Sequence, residues 1–315
     1  MPIAQVLVDG LVVGAMIALG AVGLTLVYSI LRFANFAHGE LIAWGGYFAL
    51  SLLLLSTAGL GAGLGIDPGG FGALSIGWAL LLGLAGAMLL TAALGIGLDA
   101  LLFRSLRRRG GAITMIIASF GVALALRNLI TFLYGPTPTY YSRAIQIAVP
   151  LLPEDVAVVT GQVRMTPDQI AIVALTVLLV VALHLFLTRT NLGRAMRATA
   201  ENPDLAQLFG VDTRVVVRWT WAIGGMMAAV AGVFFGMTAQ LRPQMGFDLL
   251  LPLFAAAILG GVGSFYGAVA GGLILGVAES AGVHFVGAEY RQAIAFLVLI
   301  AVLFARPAGL FGERD

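Results

Sequence analysis

Long apolar stretches recur along the whole chain, and they leave it one solvent. A helix rises about 1.5 Å per residue, so a hydrocarbon core of roughly 30 Å takes about 20 consecutive apolar residues. Stretches of that kind lie near 5–30, 41–58, 74–99, 112–134, 167–188, 215–237, 266–285 and 290–306. A shorter one, Leu251 to Leu259, runs past Pro252 into a glycine cluster; it is too short to cross unaided and is expected as a half-helix or a tilted short span. Only 10% of the 315 residues are charged and the mean hydropathy is +1.03, whereas soluble domains carry charge at roughly 25% of positions. The expected fold class is all-α, a polytopic transmembrane helical bundle of about eight to nine spans with broken helices. It forms one transmembrane domain over residues 1–315, with a cytoplasmic loop, 189–214, inside it.

Individual residue types remove whole classes of chemistry. All 17 basic residues are arginine, and there is no cysteine. Without lysine there is no phosphate-loop lysine and no lysine nucleophile; without cysteine, no thiolate metal site or disulfide. His38, His184 and His284 are far apart, no spacing suggests a metal site, and no acid, base and nucleophile set suggests an enzyme, so no catalytic residue is expected. The net charge of +2 is spread over loops rather than gathered in a basic arm, which argues against nucleic acid as a partner. No basic residue precedes the first apolar run, and Arg32 follows it, so Met1 to Ile30 reads as a mature first span rather than a secretory signal.

Arginines in short loops mark the cytoplasmic side. They cluster at Arg104, Arg107, Arg108 and Arg109, again at Arg189, Arg194, Arg197, Arg214 and Arg218, and finally at Arg306 and Arg314. Asp67, Pro68, Glu154, Asp155 and Glu289 fall in the other set of loops. The amino terminus is then external, the carboxyl terminus cytoplasmic and the number of crossings odd, so the piece around Leu251 to Leu259 is expected as a ninth, incomplete crossing. Glycine is abundant, with 42 copies, and recurs at helical spacing as Gly10, Gly14 and Ala18 or Gly267, Gly271 and Leu275. Small residues at that spacing let helix backbones approach in lipid.

Four constellations stand out. Arg32-Phe-Ala-Asn-Phe-Ala-His-Gly-Glu40 joins two spans with almost no spare length. Asn35, His38 and Glu40 either line a cavity in the bundle or sit in a plain turn with a snorkelling Arg32. Ile258 to Gly267 holds Gly260, Gly261, Gly263 and Ser264, which break one helix and open the next with Ser264 as N-cap; this is either a permeation-site break or a packing turn. In the long loop Thr188 to Arg214, Asn202 is suited to an N-cap, Pro203 to the first helical position and Gly210 to the left-handed residue after the last turn. That spacing predicts a helix over 203–209, and upstream Arg197 and Glu201 are placed to pair on a second helix. Arg127, Asn128 and Thr131 lie toward the external end of their span, where Arg127 either snorkels outward or turns inward to an external partner or the pore; Glu279 carries the same ambiguity.

These residues resemble the permease subunits of branched-chain amino-acid ABC importers of the LivH type. The likeness is carried by Asn35-Phe-Ala-His-Gly-Glu40, by Leu126-Arg-Asn128, by Gly193-Arg-Ala-Met-Arg-Ala198 with Asn202, Ala206 and Gly210-Val-Asp212, and by Leu259-Gly-Gly-Val-Gly-Ser264 with Gly267. It runs in order over essentially the whole chain. The resemblance implies a subunit of a bacterial inner membrane that pairs with a second homologous permease, binds two cytosolic ATP-binding subunits and receives solute from an external solute-binding protein. It implies that no cofactor is held by this chain, ATP and magnesium being bound by the partners. Gly193, Arg194, Arg197, Glu201, Asn202, Ala206 and Gly210 match the family's ATPase-coupling segment. Asn35, His38, Glu40, Gly260, Gly261, Gly263 and Ser264 are the expected translocation-pathway residues. Urea and short amides remain alternative solutes, and a proton-coupled secondary transporter using Glu40 or Glu279 is the rival from another class.

Overall fold

The computed structural model describes residues 3–56, 70, 74–141, 146–151, 162–306 and 309–311. Asp67, Pro68, Glu154, Asp155 and Arg314, assigned above to loops and the carboxyl terminus, lie outside the described residues. In chain order the helices are α1 Ile3–Leu31, α2 Ala37–Leu55, α3 Trp78–Leu98, α4 Arg104–Arg109, α5 Ala112–Tyr134, α6 Pro167–Arg189, α7 Asn191–Glu201, α8 Pro203–Leu208, α9 Thr213–Thr238, α10 Met245–Gly260, α11 Phe265–Val286 and α12 Arg291–Ala305. A two-residue antiparallel pair, Val149–Pro150 with Arg164–Met165, is the only sheet among the described residues. Eight described helical segments are long and apolar enough to cross a bilayer, and α10, with 16 residues, adds a shorter apolar one.

The connections place α4, α7, α8 and residues 309–311 at one end of the bundle, the arginine-rich end. The start of α1 is at the opposite end, where the Gln5 side chain bonds the backbone of Arg164 and Ser280 donates to the Val6 carbonyl. Leu310 and Phe311 return to donate to the carbonyls of Leu259 and Gly260 at the arginine-rich end. The start of α1 and residues 309–311 therefore lie at opposite ends of the bundle.

Glycine seams hold the centre together, because lipid supplies no hydrophobic drive for helices to associate and close packing must do so. A Cβ on Gly10 would sit 2.6 Å from Val277 Cα, and one on Gly272 would sit 2.5 Å from Ala18 Cα; Gly276 faces Gly14 more closely still. The other side of α11 uses Gly267 and Gly271 against the Gly260 and Ala256 carbonyls of α10. One helix thus presents two small-residue faces, the first to α1 and the second to α10. Peripheral helices instead bury one stripe each. In α5 it is Met115, Ser119, Ala123, Leu126 and Ile130, and the remaining apolar surface, such as Phe132 at 83% exposure, is left for lipid.

Between the ends of α5 and α9 and their successors, two partly exposed non-helical segments meet against the bundle, where Thr139 and Leu241 exchange backbone hydrogen bonds of 3.0 and 2.8 Å. Leu241 is fully buried, and Tyr141 donates through its hydroxyl to the Gly46 carbonyl at 2.7 Å, midway along α2. Irregular backbone survives at that depth because protein groups satisfy it. It is also why α10 starts deep, its Gly246 packed directly on Gly39.

Candidate functional site

The turn between α1 and α2 is built from buried polar groups. Arg32 ends α1 with φ 56, a left-handed conformation, and its guanidinium donates to the carbonyls of Ala200 at 2.7 Å and Glu201 at 3.2 Å. Those are orphan carbonyls of the last turn of α7, so the turn caps that helix. Asn35 is fully buried and accepts from the Ala37 amide at 3.1 Å, while Phe36 donates its amide to Ser119 Oγ of α5. His38 Nε2 lies 3.0 Å from the Gly20 carbonyl, so that nitrogen carries the proton and Nδ1 is left without a partner. Glu40 Oε1 accepts from Arg127 Nε and Nη2 at 3.2 and 3.1 Å, and the Phe247 ring lies 4.6 Å from the guanidinium carbon. Arg127 therefore turns inward rather than snorkelling. A charge inside the bundle needs a partner, and Glu40 supplies one one helix away. Asn128 is exposed and donates back to Leu124, and Thr131 donates to the Arg127 carbonyl, so neither reaches beyond its own helix.

Gly260, Gly261, Gly263 and Ser264 form the expected break, with Gly261 at φ 102, Gly263 at φ 94 and Ser264 Oγ accepting from the Gly267 amide at 3.1 Å. The break lies at the arginine-rich end, not beside Asn35, His38 and Glu40. A cavity of about 210 Å3 there is lined by Ser29, His184, Met196, Arg197, Gly263 and Tyr266, so the glycine turn faces α7. The reason is the carboxyl-terminal segment: it bonds the last carbonyls of α10 and fixes that helix end at the surface.

The loop after α6 folds as two capped helices. Thr190 Oγ1 accepts from the Gly193 amide at 2.9 Å, and Asn202 Oδ1 accepts from Asp204 and Leu205 at 3.1 and 2.9 Å. Gly210, at φ 84, closes α8 as Val211 donates to the Ala206 carbonyl. Gly193, Met196 and Thr199 face inward, Gly193 so tightly that a Cβ would meet Leu187 Cα at 2.5 Å. Arg194, Arg197 and Glu201 face outward, and Arg194 bonds Asn191. No Arg197–Glu201 ion pair forms among the described residues; Arg32 takes the Glu201 carbonyl instead. Sequence reasoning passed over the apolar tip of this knob: Ala206 is buried beneath it, but Leu208 and Phe209 are 83% and 82% exposed. The signal was available, since two large apolar residues, Leu208 and Phe209, stand in tandem directly before the cap glycine Gly210.

Comparison with known proteins covers nearly the whole chain. Residues 6–303 match the family described as "Branched-chain amino acid transport system / permease component". The high-affinity branched-chain amino acid transport system permease protein BraD of Pseudomonas aeruginosa is 36% identical over 99% of this chain and 96% of its own length. The corresponding LivH protein of Escherichia coli K12 is 35% identical over the same shares. An autoinducer 2 import system permease protein, LsrC of Yersinia enterocolitica, is 29% identical over 74% of this chain and 64% of its own.

Proposed function

The chain belongs to the branched-chain amino-acid transport permease family and is a multi-pass membrane protein, and from that premise we propose that it forms half of the membrane pathway of an ATP-driven importer for branched-chain amino acids. A second homologous permease completes the pathway. Two cytosolic subunits bind ATP and magnesium and do the hydrolysis, this chain holding no cofactor and catalysing no reaction. An external solute-binding protein delivers the substrate to the face opposite the arginines. The arginine-rich end is cytoplasmic on the positive-inside rule, which puts the amino terminus outside and the carboxyl terminus inside a bacterial inner membrane.

The observation that carries this reading is the capped knob. Leu208 and Phe209 are apolar, exposed and held rigidly by Asn202 and Gly210, at the end where the arginines cluster. Apolar anchors on a rigid support are what a partner protein binds. Gly193, Arg194, Arg197, Glu201, Asn202, Ala206 and Gly210 serve this knob as its frame and flank. Alternating access then follows from coupling: nucleotide-driven movement of the partners favours one arrangement of the paired permeases over the other. The test is Leu208→Asp with Phe209→Asp in the full complex reconstituted in vesicles. ATPase capture and ATP-driven leucine uptake are expected to be lost together while the permease retains its melting behaviour. Uptake at the wild-type rate refutes the assignment.

A further inference from the structure

At the end of the bundle opposite the arginine clusters, the deep start of α10 leaves a cavity of about 380 Å3 between α1, α9, α10 and the α11–α12 corner. Its walls combine apolar surface from Ile17, Leu249 and Pro252 with charges of both signs. Glu279 of α11 is 2% exposed, and its Oε1 has no hydrogen-bond partner among the described residues. An intramembrane carboxylate of this kind belongs in a bundle interior or a wet cavity and marks a functional site by default. Across the cavity Arg291, the first residue of α12, is exposed and makes no ion pair or hydrogen bond among the described residues. Of the other charged groups nearby, Glu289 also lines the cavity, exposed and without an ion pair among the described residues, while Asp248 and Asp9 are engaged. Asp248 accepts from Arg242 and from Gln292, both at 3.4 Å, and Asp9, which shares an adjoining cavity with Glu279, accepts from Gln5 at 2.9 Å. Pro252 has no amide hydrogen, so the Asp248 carbonyl lacks its helical donor and offers a further acceptor.

We infer that this cavity is a transit site for the zwitterion of an aliphatic α-amino acid, with its ammonium on Glu279, its carboxylate on Arg291 and its side chain against Ile17, Leu249 and Pro252. The inference rests on the importer reading and sharpens it. An anion alone leaves Glu279 unpaired and a cation alone leaves Arg291 unpaired. Urea or a short amide matches neither charge, and a buried polar group left without its partner is what makes a site reject an analogue strongly.

The test uses the complete transporter in vesicles, with tritiated L-leucine outside and MgATP supplied to the ATPase subunits. Glu279→Gln and Arg291→Gln are each expected to lower uptake about tenfold or more, the loss expected for one charge-assisted hydrogen bond. Arg291→Lys, which keeps the charge, retains more uptake than Arg291→Gln, and Leu249→Trp lowers uptake by filling the cavity without touching either charge. Should the glutamine at position 279 prevent assembly, seen by size exclusion, the Arg291 and Leu249 variants decide. Wild-type uptake with the Arg291→Gln and Leu249→Trp variants both within about twofold of it, well short of one such bond, overturns the site and leaves the importer reading standing. A wild-type complex that moves no leucine, isoleucine or valine overturns both.

Discussion

Replacing Arg127 by methionine removes the charge opposite Glu40 at nearly constant volume. Glu40 is fully buried and the Arg127 side chain is 19% exposed, with their charged atoms 3.1 Å apart. At that separation and an effective dielectric near 20, the attraction is about 5 kcal/mol, against which stands the cost of withdrawing both groups from water. The pair itself is therefore worth little net, but breaking it strands a carboxylate whose Oε2 already has no partner. Removing one member of such a pair costs about 3–5 kcal/mol, a factor of roughly a hundred to a few thousand in the folded-to-unfolded ratio. The assay is unfolding of the purified protein in mixed detergent micelles, run for Arg127→Met, Glu40→Gln and the double variant. The double variant should recover most of the loss, because neither charge is then stranded, giving a coupling energy of about 2 kcal/mol or more. A single Arg127→Met within about 1 kcal/mol of the parent, or a double variant equal to the sum of the singles, refutes the argument.

Three further outcomes follow from local geometry. Arg32→Ala removes two donors from the end of α7 and should speed amide exchange at Asn202 by about 1 kcal/mol of lost protection, a low value because the bonds are solvent-exposed; unchanged exchange there speaks against the cap. Asn202→Ala deletes the α8 cap, costs about 1 kcal/mol and should weaken capture of the ATPase subunits, measured by pull-down. Gly276→Val drives two methyls into the backbone of α1 at Gly14, and an overpacking cost of about 3 kcal/mol or more should appear as a lowered melting midpoint in detergent; an unshifted midpoint removes the seam from the account.

What the sequence made legible was local. Length and hydropathy locate the spans because the bilayer sets a minimum length, and Asn202, Pro203 and Gly210 announce α8 because caps act within one turn. The same signals fail wherever the deciding contact is remote. Hydropathy reads lipid-facing and protein-facing surfaces alike, so nothing in Arg127-Asn128-Leu129 says which side of α5 meets α2. The meeting of Thr139 with Leu241 joins segments about a hundred residues apart, with no periodic pattern in either. Gly260 to Ser264 look like a pathway break because glycines break helices anywhere; their place at the arginine-rich end is set by Leu310 and Phe311, which carry no motif at all.

Polar contacts matter more in this fold than their number suggests, because apolar contact cannot distinguish a neighbouring helix from a lipid chain. Arg32 and Glu40 stand at the two ends of one short connection, Glu40 in the first turn of α2: Arg32 grips the end of α7, and Glu40 grips Arg127, which stacks on Phe247 in the first turn of α10. Contact from the α7–α8 knob to the helix that walls the charged cavity is thus unbroken and runs through two side-chain junctions in series. Spatial continuity alone does not show energetic coupling, but a series arrangement makes a definite claim about combined defects. In the reconstituted complex, the ratio of leucine moved to ATP hydrolysed should fall with Arg32→Ala and with Arg127→Met, and the double variant should be no worse than the poorer single, since a route already cut loses nothing at its second break. If the losses multiply instead, the two junctions act independently and the knob reaches α10 by another way.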